Sequence, residues 1–221
     1  MSARPPLHAR RRRRARARRG AKDPVTPRPG SGQGRPAVFL DRDGTLLEDV
    51  GYLKSLDEVS LFPWTVDTIR SLNRAGLPVV VITNQAGIAR GMFDEAFVNG
   101  THRYLSTLLE KGGAHIDAYY YCPHHPDGKV APYARACECR KPGRALVDRA
   151  ARDLGLDPAR SFVVGDTWLD IGLGRAVGAR SLLVRTGGGA WWAARPHATL
   201  TADAIVDNLA AAASWILEKC S

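Results

Sequence analysis

The sequence predicts an α/β protein built on an open, doubly wound parallel sheet with no large cap domain. Three observations point there. Apolar runs alternate with amphipathic stretches at the length of βαβ units. Runs such as VVVI (79–82) and FVV (162–164) have no polar face, as strands covered by helices on both sides require. The polar motifs fall where those runs end, at Asp41 and Asp43, Thr83 and Asn84, Cys122, and Asp166. Open α/β sheets bind ligands at that edge.

Strands are expected at 37–40, 78–83, 116–121, 161–165 and 181–184, and helices at 64–75, 94–111, 143–154, 169–177 and 203–218. The first strand, AVFL, runs straight into the two aspartates. The first helix stops at Gly76 and the third at Gly155, residues suited to the turn that ends a helix. The stretch between the first two strands holds one helix and little else. That is too little chain for a large cap, so the site should be open to a small soluble substrate.

At 221 residues the chain suits one good-sized domain. No apolar run reaches the roughly 18 residues that a membrane span needs. The net charge of +10 is uneven: residues 1–35 hold twelve of the 32 basic residues against Asp23 alone. The remainder, 36–221, carries twenty basic and 21 acidic residues and is nearly neutral. The segment 1–35 is rich in Arg, Pro and Gly and poor in large apolar groups, so disorder is expected there. Its arginines are not followed by the apolar stretch of a twin-arginine export signal. They could attract a polyanion, but nucleic acid is not an expected partner of the domain itself. A cytoplasmic, monomeric protein is the expectation.

The most informative stretch is AVFLDRDGTLLEDVGYL, from 37 to 53. Residues two apart in extended backbone project to one side, so Asp41 and Asp43 leave the strand tip together. Two carboxylates that close need a cation or a proton between them. Gly44 lets the chain turn away without a Cβ. A second cluster is Cys122-Pro-His124 with Cys137-Glu-Cys139, three thiols and an imidazole within one short stretch. Such a donor set suits a closed tetrahedral Zn²⁺ site. A disulfide is the rival reading, disfavoured because nothing suggests export. His125 reads as a loop histidine and Cys220 as a leftover thiol.

With these residues in view, the chain resembles the haloacid-dehalogenase-type phosphatases with their Rossmann-like sheet. The runs VVVITNQAGIARG (79–91), YYYCPHHPDG with ACECRKPG (119–143), and FVVGDTWLDIGLGRAVGA (162–179) follow in the order of one branch. That branch contains the heptose-1,7-bisphosphate and histidinol-phosphate phosphatases, and the similarity spans about 36–219. The resemblance implies a phosphomonoester hydrolase in which Asp41 attacks phosphorus and Asp43 acts as general acid and then base. It implies Mg²⁺ held by Asp41, Asp166 and the backbone carbonyl of Asp43, with Thr83 and Lys141 on the phosphoryl oxygens. Asp170 would orient Asp166 or its water rather than bind the metal directly. It also assigns Asp49, Val50, Gly51, Tyr52, Asn84, Gln85, Ala86, Arg140 and Thr167 to the pocket for a phosphorylated sugar. Two positions depart from the pattern: Thr167 stands where heptose enzymes of the Gram-negative type have lysine, and Ala86 where the branch has serine. The expected activity is removal of the 7-phosphate of a heptose 1,7-bisphosphate, with histidinol phosphate or another small polyol phosphate as the alternative substrate.

Overall fold

In the computed structural model, which describes residues 34–220, six parallel strands form one sheet in the order β3-β2-β1-β4-β5-β6. They are β1 (Val38–Leu40), β2 (Val79–Asn84), β3 (Ala118–Cys122), β4 (Phe162–Gly165), β5 (Arg180–Val184) and β6 (Ala204–Val206). The helices are α1 (Thr65–Arg74), α2 (Ala86–Arg90), α3 (Glu95–Lys111), α4 (Ala145–Leu154), α5 (Trp168–Val177), α6 (Gly189–Ala193) and α7 (Leu209–Cys220). The order of strands reverses between β1 and β4, which places a crevice at the carboxyl end of β1.

The strand residues sort by the two-residue period. Val38, Leu40, Val79, Val81, Val164 and Val184 face α1 and α7 in one core. Phe39, Val80, Ile82 and Val163 face α4 and α5 in the other. Val38, Phe39 and Leu40 are fully buried, so β1 is the axis about which both layers pack. Each such side chain contributes about 1.5–3 kcal/mol of burial.

Five strands and four helices form where the residues predict them, within a residue or two. The helix expected at 203–218 does not. Its first residues make β6, with Leu182 opposite Ala204 and Val184 opposite Val206. The Asp203 carboxylate accepts the Ser181 N–H at 2.7 Å, which anchors the strand. The helix starts only after Asn208, whose side chain caps Ala211 N–H at 3.0 Å. The alanine-rich run that follows hides a three-residue strand in what reads as one helix. The expected disorder of 1–35 falls almost wholly outside the described residues. Arg35 is within them, and its N–H donates to Gly155 O at 3.0 Å, so the fold already includes it. No helix among the described residues is long and apolar enough to cross a membrane.

Gly165 ends β4 where α5 packs closest, and a Cβ there would run into the Asp170 carboxyl. Gly165→Ala is therefore expected to destabilise the protein by about 1–3 kcal/mol. Urea denaturation reads this, with the exposed-site change Cys220→Ser as a control shifted by no more than about 0.5 kcal/mol.

Candidate active site

The backbone places four carboxyl-bearing and cationic groups at one edge. Asp41 follows β1 and its N–H is held by Val164 O at 2.9 Å. Asp166 follows β4, and Asp170 lies one turn into α5. Lys141 comes from the loop between β3 and α4. Its Nζ lies 2.9 Å from Asp41 Oδ1 and 2.6 Å from Asp170 Oδ1. Asp41, Asp166 and Asp170 each bring a carboxylate oxygen within 4.8 Å of the other two. Lys141, Asp166 and Asp170 are buried and Asp41 nearly so.

Three acids around one ammonium leave negative charge in excess. Burial is the main cause that lifts Asp41 to about 7; Lys141 opposes it, while Asp170 and Asp43 push the same way. Asp166 rises to about 8, first by burial and then by Asp41 and Asp170. It is relieved by the Gly188 N–H, 2.8 Å from Oδ2, and then by the charge of Lys141. Lys141 is held charged: burial opposes this, but Asp170 and Asp41 outweigh it. A hard divalent cation with oxygen ligands fits this set, since it would supply the missing positive charge.

Asp43 is not part of that cluster. Its carboxylate faces Arg42, whose Nε lies 3.2 Å from both oxygens and whose Nη2 lies 3.0 Å from Oδ1. Gln85 Nε2 donates to Asp43 Oδ2 at 3.0 Å and to Thr83 Oγ1 at 2.9 Å. The two aspartates at the strand tip therefore have different cations, Lys141 for Asp41 and Arg42 for Asp43.

The sulfur cluster assembles as expected. Cys122, His124, Cys137 and Cys139 bring their ligand atoms within 4.8 Å of one another. The Sγ–Sγ distances are 3.4, 3.2 and 3.0 Å, and His124 Nδ1 is 3.2 Å from Cys139 Sγ. All four cysteines are free. A tetrahedral zinc with bonds of about 2.3 Å would separate its sulfurs by roughly 3.7 Å, so a small outward movement accommodates it. Burial pushes the Cys122 thiol up. Burial also opposes ionisation of Cys137, but hydrogen bonds from Cys139 and Cys122 bring it below the ordinary thiol value.

The pocket residues separate into two groups. Asn84 Oδ1 accepts the Lys141 N–H at 3.0 Å, and its Nδ2 meets Lys141 O at 3.4 Å. Asn84 and Gln85 thus spend their amides on the protein. Ala86 is buried at the start of α2. Thr167 Oγ1 donates to Asp170 Oδ2 at 2.7 Å, and Lys141 Nζ donates to its Oδ1 at 2.6 Å, so the hydrogen bonds of Asp170 go to these two residues. By contrast, Asp49, Val50 and Gly51 are exposed and Tyr52 half-buried. Asp49 Oδ1 accepts the Gly51 N–H at 2.8 Å, which shapes that loop. Arg140 has a buried Nη1 with no hydrogen-bond partner.

Two features escape the sequence reading. One is Arg42, a charge standing between the two aspartates. The other is the loop after β5, where Thr186 Oγ1 donates to Gly44 O at 2.6 Å and Gly188 meets Asp166. Gly44 and Gly187 have φ of 77° and 55°, and a Cβ on either would strike the Asp166 carboxylate. The TGGGA run at the end of an apolar stretch was the available signal.

A family model described as HAD-hydrolase-like matches residues 138–212. The chain is 41% identical over 157 residues to D-glycero-beta-D-manno-heptose-1,7-bisphosphate 7-phosphatase of Yersinia pestis, covering 70% of this chain and 83% of that one. It is 39% identical over 177 residues to the protein of the same name from Escherichia coli K12, covering 79% and 90%. Among solved structures, the D,D-heptose 1.7-bisphosphate phosphatase of B. bronchiseptica, complexed with magnesium and phosphate, superposes with a TM-score of 0.74. That pair is 34% identical, over 83% of this chain and 99% of the other.

The raised carboxylates fix a pH dependence. Folded Asp41 and Asp166 hold protons up to about 7 and 8 against an ordinary value of 3.8. The folded state then binds more protons than the unfolded one across that window, so stability falls as pH rises through it. Chelator-treated protein should lose melting temperature between about pH 4 and 8, and saturating divalent cation should flatten that slope. Thermal melts with EDTA and with Mg²⁺ across the range check this; an unchanged slope speaks against a cation among these carboxylates.

Proposed function

The chain belongs to the haloacid-dehalogenase-like phosphatases, in the heptose-1,7-bisphosphate 7-phosphatase family, and we propose that it removes the 7-phosphate of D-glycero-D-manno-heptose 1,7-bisphosphate. The observation that carries this reading is the state of Asp41. Its Oδ1 takes Lys141 Nζ and the Arg42 N–H at 2.7 Å, which leaves Oδ2 as the attacking atom.

The chemistry follows as two in-line displacements. Asp41 Oδ2 bonds to phosphorus as the bond from phosphorus to the sugar oxygen breaks, and Asp43 gives that oxygen its proton. Water then attacks the aspartyl-phosphate, passing a proton to Asp43, and the bond to Asp41 breaks. Thr83, whose oxygen already accepts from Gln85, turns its hydroxyl hydrogen to a phosphoryl oxygen. Lys141 meets the same charge from the other side. Asp41, Asp166 and the Asp43 carbonyl would hold Mg²⁺, with Asp170 beside them; bound there, it would neutralise the charge that otherwise keeps phosphate from carboxylate. Cys122, His124, Cys137 and Cys139 would hold Zn²⁺, which would fix the loop that delivers Arg140 and Lys141.

On the substrate side, Asp49, Val50, Gly51 and Tyr52 offer the exposed loop for a polyol. Arg140, with an unpartnered buried nitrogen, is suited to grip a second phosphate in fork geometry. Thr167 supplies no cation there, so the second phosphate would depend on Arg140.

Three outcomes are expected with Mg²⁺ supplied. The kcat/KM for the heptose bisphosphate should exceed that for histidinol phosphate by at least about tenfold; the opposite order assigns the chain to the alternative substrate. Asp41→Asn should lower kcat by more than about a thousandfold. Cys137→Ser should lower zinc content and phosphatase activity together, and full activity in zinc-free protein rules the coupling out.

A further inference from the structure

We propose that Arg42 is a positioning residue for Asp43, the fork that holds the general acid in line with the leaving oxygen. The inference rests on the reading of Asp43 as that acid.

Arg42 is 3% exposed. A guanidinium withdrawn from water that far needs a partner, and every side-chain hydrogen bond that it makes among the described residues goes to Asp43. Neighbours in extended chain point to opposite sides. Here they meet because the chain turns at once after β1, with Leu46 N–H and Leu47 N–H both reaching back to Arg42 O at 2.9 and 3.2 Å. The turn that brings Asp43 to the site thus also brings it to Arg42.

The contacts define an orientation as well as a charge. Nε and Nη2 of Arg42 address both carboxylate oxygens, which fixes the plane of the group. Gln85 adds a third donor to Oδ2 alone. Oδ1 thus accepts from Nε and Nη2 of Arg42, and Oδ2 from Arg42 Nε and Gln85 Nε2, so the group is held at both oxygens. Arg42 gives up no proton itself; the proton moves from Asp43 to the sugar oxygen as the phosphorus–oxygen bond breaks. Behind the guanidinium stands His102, stacked on Tyr119 with ring centroids 4.6 Å apart. Burial first, and then Arg42, hold that imidazole down at about 3, so it is neutral. The neutral ring does not compete for the fork.

A buried ion pair could serve folding alone, so the test must separate orientation from stability. A sugar alkoxide leaves only with a proton, whereas the phenolate of p-nitrophenyl phosphate leaves without one. The first-turnover rate of each substrate is measured for wild type, Asp43→Asn, Arg42→Met and Arg42→Lys, with Mg²⁺ supplied. Asp43→Asn should slow heptose-bisphosphate cleavage by about 100-fold or more while sparing the burst of p-nitrophenolate. Both Arg42 variants should show the same selectivity at about 10- to 100-fold on the sugar and less than about 3-fold on the aryl ester. Equal slowing of both substrates by Asp43→Asn would sink the acid assignment itself. If Asp43→Asn is selective but the Arg42 variants slow both substrates alike, or neither, Arg42 has only a structural role. Arg42→Lys keeps a buried charge without the fork, so the comparison survives if Arg42→Met does not fold.

Discussion

Lys141 sits between Asp41 and Asp170 with its ammonium 2.9 and 2.6 Å from them, and much of the surrounding architecture serves to keep it there. An ammonium on a loop is ordinarily a mobile, hydrated charge. Here its backbone is clamped by Asn84 at the end of β2, and the thiol cluster ends two residues before it. Asp170, which takes the other side, is steadied by Thr167 at the start of α5. The sheet edge, the loop and the helix each supply one support. Removing water from these groups is costly, and the attraction between their opposite charges only partly offsets that cost. Three carboxylates remain against one cation, and this shortfall is what gives the site its appetite for a divalent ion.

Two aspartates two residues apart acquire different chemistry because they face different surroundings. Asp41 lies among other acids, with one oxygen held and the other open, which suits attack on an electrophile. Asp43 is fixed by a guanidinium and an amide. Gln85 links the pair of functions, since one nitrogen touches both Asp43 and Thr83. A shift of β2 along β1 would disturb Asp43 and Thr83 together, so the register of Val38 against Val79 sets how these side chains meet as well as how the strands pack.

Much of this was legible in the chain. The apolar runs gave five strands because a parallel strand buried on both faces has almost no freedom in composition. The sulfur cluster was legible because its four donor residues come from two short segments at fixed spacing. What escaped was set by distance. β6 is three residues long and owes its existence to β5 rather than to its own sequence. Asn84 and Gln85 look like polar groups at a strand end, available to a sugar, and only the fold shows that their amides are spent on Lys141, Asp43 and Thr83. Arg42 carried no motif of its own. Its meaning lies in a buried environment formed by α3 and β3, far along the chain.

The same logic bears on Thr167, the position that departs from the heptose enzymes. A lysine there would stand one residue from Asp166 and three from Asp170, inside a site whose acids already compete for a single ammonium. It would be drawn toward Asp170, in rivalry with Lys141. Threonine instead donates a neutral hydroxyl to Asp170 Oδ2 at 2.7 Å and leaves Oδ1 to Lys141. The exchange removes a cation from the rim while tightening the support of the cation at the centre. On the proposed reading, a distant phosphate would then fall to Arg140, which follows directly on Cys139 of the thiol cluster.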